Sequence, residues 1–110
     1  MGVFMKKKLD PISPGIILYE EFMEPLGITA YKLSKELIVQ QTAIGQIVKG
    51  HRRITADMAL RLSRFFGNSA QFWLNLQSFY DIEQENEKKQ ALISKITPYK
   101  NLKKAHQAIH

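Results

Sequence analysis

The chain has 110 residues, 45% of them hydrophobic and 24% charged, which suits a single domain with one modest core and does not argue for disorder. It has no cysteine, which excludes disulfide frameworks, thiolate zinc sites and cysteine nucleophiles. No apolar run approaches the roughly 18 residues of a membrane span, Val3, Phe4 and Met5 are too few for a signal-peptide core, and a net charge of +6 points weakly toward polyanion partners.

Residues 1–12 read as a flexible basic arm carrying Lys6, Lys7 and Lys8. Ser13-Pro14-Gly15 then reads as a helix start, with Ser13 as N-cap and Pro14 where a missing N–H is harmless. The first helix is predicted from Pro14 to about Met23, stopping before Pro25 because the residue ahead of proline disfavours helical geometry. Leu26-Gly27-Ile28 is a connector, and Thr29 caps a second helix over Ala30–Leu37 whose Leu33 and Leu37 share one face. A short turn at Ile38-Val39-Gln40 leads to a third helix, from Gln40 or Gln41 to Lys49, stopped by Gly50. Its inward stripe is Ile44, Ile47 and Val48.

His51-Arg52-Arg53 forms a basic loop. Thr55 caps a fourth helix, Ala56 to Phe66, with Asp57 early and Arg61 and Arg64 late, as the helix dipole favours. Ser69 caps a fifth, from Ala70 to Tyr80 or beyond, crowded with Phe72, Trp73, Leu76, Phe79 and Tyr80. From Asp81 the composition turns to glutamate and then lysine, and Pro98 bounds any continued helix. The expected fold is all-α: a five-helix domain over residues 13–82, with a charged helical or disordered extension over 83–110.

The second and third helices, joined by a tight turn, have the layout of a helix-turn-helix, which presents its second helix to a DNA major groove. On the outward face of that helix lie Gln41, Thr42, Gly45, Gln46 and Lys49. Glutamine amides present the forked donor and acceptor that suit adenine, so Gln41 and Gln46 are candidate base readers, with Gln40 and Thr42 beside them. Ala43 and Gly45 are small enough to let the helix approach DNA closely. Lys49, His51, Arg52 and Arg53 follow directly as a phosphate clamp, and the helix N-termini add backbone N–H donors.

The segment SPGIILYEEFMEPLGIT, followed by IVKGHRRITADMALRLSRFFGNSAQFWLNLQSFYDIE, resembles the HigA antitoxins of higBA toxin–antitoxin modules, within the lambda-repressor-like (Xre) class. The resemblance covers about Ser13 to Glu83 and is most specific between Ile54 and Gln77. It implies a homodimeric repressor that binds double-stranded operator DNA ahead of its own operon and neutralises a HigB-like toxin, a RelE-like ribonuclease that cleaves messenger RNA. Matched to this chain, the base-contacting positions fall on Gln41, Thr42 and Gln46. Phosphate contacts fall on Thr29, Tyr31, Gln40, Lys49 and Arg53, with Arg52 alongside, and the dimer surface around Trp73, Leu76, Gln77 and Tyr80. Two departures stand out. Ile38 occupies a turn position where the family usually has glycine, and Ile16 a position where it often has glutamate. A β-branched residue disfavours positive φ, so a wider or differently wound turn is expected at Ile38.

His51, His106 and His110 form no catalytic or metal-ligand spacing, and no cofactor, membrane partner or enzymatic activity is expected. A cytoplasmic protein is expected. An orphan or phage-like regulator without a toxin stays open beside the antitoxin reading, as does an interaction module that has lost operator binding.

Overall fold

The computed structural model describes residues 11–100. The lysines of the basic arm at positions 6–8, and the chain end with His106 and His110, lie outside the described residues. The described residues form five helices and no strand, as the composition and periodicity predict.

Helix α1 (14–26) begins as α-helix over Pro14–Ile17, widens to a π-helical segment over Leu18–Met23 and closes with Glu24–Leu26. It therefore runs through Pro25 instead of ending before it. The wider turn explains this: Glu24 N–H reaches back five residues to the Tyr19 carbonyl, and such a bulge relieves the register a proline would break. Ser13 sits at the N-cap with extended backbone, but its hydroxyl makes no capping bond; it is buried beside Gly50 without a partner. Gly27 ends α1 in the left-handed conformation at φ 67°.

Helices α2 (Ala30–Leu37), α4 (Ala56–Phe66) and α5 (Ala70–Ile93) begin as the sequence predicts. Thr29, Thr55 and Ser69 each accept, through the side-chain oxygen, the backbone N–H three residues on. Helix α3 (Gln41–Val48) starts at Gln40, which makes no side-chain cap, and ends at Gly50 with φ 82°. There His51 N–H donates to the Gln46 carbonyl and Gly50 N–H to that of Ile47.

One core holds these helices. Leu18 and Met23 of α1, Leu33 and Leu37 of α2, Ile44 and Ile47 of α3, Met58, Ala59 and Leu62 of α4, and Trp73 of α5 pack together with Ile54 from the loop. Helix α4 lies along the first part of α5, α2 against α3, and the start of α1 against both α3 and α5. In α2 to α5 the buried residues recur at spacings of three and four, whereas in α1 the π-helical segment places the buried Leu18 and Met23 five apart. Helix α5 is unbroken across residues 82 and 83, and from Glu85 onward every described residue is exposed. Among the described residues no helix is long and apolar enough to cross a membrane.

Candidate nucleic-acid interface

Helix α3 shows solvent one face. Gln41, Thr42, Gln46 and Lys49 are all exposed on it. Between these rows sits Gly45, where an added Cβ would meet open space, so a flat strip separates Gln41 and Thr42 from Gln46 and Lys49. Ala43 does not belong to this face. It is 7% exposed and closes the core beside Ile47, because its position falls on the inward stripe. Only Gly45 thins the outward surface.

The loop after α3 splits its cations between two directions. Arg52 Nε donates to Gln46 Oε1 at 3.2 Å, so this guanidinium stays with the reading face. Arg53 turns the other way and pairs with Asp81 of α5 at 2.7 Å. Behind that pair, Gln77 Nε2 donates to the other Asp81 oxygen at 3.0 Å, and Gln77 Oε1 accepts the Ile54 N–H at 2.7 Å. This chain of bonds fixes the loop to α5 by satisfying a buried backbone donor that no helix could. Gln40, His51 and Tyr31 are exposed around the rim of α3 and α2, and Lys35 Nζ lies 5.4 Å from the centre of the Tyr31 ring. The Thr29 hydroxyl is committed to its cap.

The turn into α3 is not widened. Ile38 itself takes the left-handed conformation, φ 59° and ψ 52°, that glycine usually fills, and its side chain is 82% exposed. Arg61 of α4 donates through Nη1 to the carbonyls of Leu37 at 2.8 Å and Ile38 at 3.1 Å, while its Nε holds Asp57 at 2.9 Å. The Asp57–Arg61 spacing is legible as an i,i+4 pair, but its reach to the turn is tertiary.

Two residues assigned to a dimer surface face inward instead. Trp73 is 0% exposed and Gln77 3%. The Trp73 ring packs against Phe22, Phe66 and Phe72, and its Nε1 donates to Asn68 Oδ1 at 2.8 Å. Gln77 is spent on Ile54 and Asp81. Leu76 and Tyr80 are half-buried, Phe79 and Ile82 expose apolar surface on the side of α5 turned from the core, and Phe72 borders that side with one edge exposed while its ring packs on Phe22 and Trp73. The seven-residue step from Phe72 to Phe79 is the signal that marks this outer stripe.

The helix-turn-helix family HTH_3 matches residues 20–73. The virulence-associated protein I of Dichelobacter nodosus is 46% identical over 87 residues, covering 79% of this chain and 81% of that protein. The uncharacterized helix-turn-helix-type transcriptional regulator YbaQ of Escherichia coli (strain K12) is 38% identical over 77 residues, covering 69% of this chain and 68% of that protein. Among solved structures, the Pseudomonas aeruginosa antitoxin HigA with the higBA promoter superposes with a TM-score of 0.77 at 42% identity, over 80% of this chain and 97% of that one.

Proposed function

The chain belongs to the helix-turn-helix family HTH_3, in the company of HigA antitoxins, and on that premise we propose that it is a sequence-specific DNA-binding antitoxin of the cytoplasm that represses its own operon. The observation that carries this reading is the outward face of α3: two glutamines and a threonine, unobstructed at Gly45 and flanked by Lys49 and Arg52. Gln41, Thr42 and Gln46 read base edges in the major groove. Lys49, Arg52, Tyr31, Gln40 and the N-terminus of α2 at Thr29 hold phosphates. Arg53 joins them when it leaves Asp81. A homodimer places two such helices on one palindromic operator, and the exposed stripe of Phe72, Phe79 and Ile82, with Leu76 and Tyr80 at its edge, is the surface that would join them. The second partner is a HigB-like, RelE-type toxin; the likeness to an antitoxin solved with the higBA promoter supports a toxin partner of some kind. The likeness to YbaQ supports the coarser reading, a transcriptional regulator, and its name specifies no toxin.

A gel shift on the DNA upstream of its own gene tests the reading. Gln41→Ala and Gln46→Ala should each lose about 1–3 kcal/mol of discrimination between operator and scrambled duplex. Discrimination unchanged in both would remove these residues as readers. Co-purification with the product of the adjacent gene separates antitoxin from lone regulator, and sedimentation of the same sample reads the dimer.

A further inference from the structure

We infer that Arg61, on α4 and behind the reading surface, is the positioning residue that aims α3, a role that rests on the DNA-binding reading above. The reasoning starts at Ile38. A β-branched residue in the left-handed region is strained, and a side chain 82% exposed gains little packing to offset that strain. Released, the turn would drift toward ordinary backbone geometry and carry α3 with it. Two local bonds close the end of α2, from Ile38 N–H to the Lys35 carbonyl at 3.3 Å and from Val39 N–H to that of Ser34 at 3.0 Å, but they leave the carbonyls of Leu37 and Ile38 to be met from elsewhere.

Arg61 supplies what is missing. The carbonyls of Leu37 and Ile38 stand at the negative end of α2, where helix bonding has run out and a cation is favoured. One guanidinium nitrogen takes both. Asp57, one turn earlier on α4, holds Nε and so fixes the direction of the fork. Charge-assisted bonds of this kind are stronger than neutral ones. The two residues that set the angle between α2 and α3 are therefore tied to a third helix that takes no part in base reading. The geometry gives this chain a means of keeping isoleucine at a glycine position.

The experiment uses four full-length proteins: wild type, Arg61→Ala, Ile38→Gly and the double variant, each checked for helical circular dichroism. Binding is measured to the upstream operator and to a scrambled duplex of equal length. Arg61→Ala should lower the preference for operator by about tenfold while binding to scrambled DNA stays within about twofold, within the range of coupled neighbours. Ile38→Gly in the same chain should restore most of that preference, because glycine holds a left-handed turn without help. Equal losses on both duplexes would make Arg61 a phosphate contact and overturn the inference. So would a loss of preference from Arg61→Ala that is the same with and without the Ile38→Gly change. If wild type shows no preference, the DNA reading fails; the clamp is then judged without DNA, by amide exchange at Ile38 and Val39. Faster exchange in Arg61→Ala supports the clamp and unchanged protection overturns it. Should Arg61→Ala not fold, Arg61→Lys keeps the charge but loses the fork, and should show the same loss in smaller measure.

Discussion

Replacing Gly15 with alanine should destabilise the protein by about 3 kcal/mol or more, the upper end of what overpacking a core costs. The first turn of α1 rests directly on the end of α3, and a methyl group at Gly15 would overlap the carbonyl group of Ile47. It would also press on the Cα of Val48 at 3.1 Å. These are backbone atoms, so no side chain can rotate aside, and one helix must move. Two effects oppose each other here. Alanine favours helix over glycine by about 1 kcal/mol, whereas the collision requires a whole-helix displacement. The collision wins. At roughly 4–8 °C per kcal/mol for a domain of this size, the melting temperature should fall by more than about 10 °C. Thermal unfolding followed by circular dichroism measures it, and an unchanged or raised midpoint would refute the close approach. Because α3 carries the reading residues, operator affinity should fall with it.

Trp73→Ala should cost about 3–5 kcal/mol, the range for removing a buried aromatic. The indole is fully enclosed by Phe22 at 4.8 Å between ring centres, Phe72 at 5.1 Å and Phe66 at 6.1 Å. Tilted and edge-on pairs of this kind add to the area term. Its N–H bond to Asn68 is lost as well. Phe79→Ala provides the contrast on the same helix. Phe79 is 68% exposed, so its removal should change stability of the monomer by no more than about 0.5 kcal/mol. Urea midpoints at low protein concentration separate the two. Equal midpoints would mean that the indole is not the core residue described above.

Much of the fold was legible because its determinants are local. Thr29, Thr55 and Ser69 cap helices through bonds three residues long, and Leu33 with Leu37, or Ile44 with Ile47, mark faces by spacing alone. The misreadings have their causes beyond the local rule, most often in a partner distant in sequence. Pro25 reads as a stop, since the rule assumes α-helical register and cannot see a π-turn ahead of it. Ser13 holds the N-cap position, yet packing against Gly50 buries its hydroxyl. Ile38 obeys a conformation its own chemistry disfavours because Arg61, 23 residues on, holds it there. Trp73 and Gln77 read as an outward surface by resemblance, but Phe22, Ile54 and Asp81 draw them inside. The candidate site was legible as a face, since Gln41, Thr42 and Gln46 recur with helical period; the division of Arg52 and Arg53 between that face and α5 was not.

Helix α5 carries a last consequence. It spans 24 residues, about 36 Å at the usual rise per residue, yet only its first half touches the core. Among the described residues the outer turns have little beyond their own backbone bonds and an exposed Glu85–Lys89 pair, worth a few tenths of a kcal/mol. Helices that short are marginal on their own in water, so these turns should open and close while the globule stays folded. Trp73, the single tryptophan, sits in the globule and senses none of this. For a protomer without its partner, fluorescence and far-ultraviolet circular dichroism should then trace different melting curves. The dichroism would begin to decline first, an apparent breach of two-state behaviour whose source is one helix with two unequal ends.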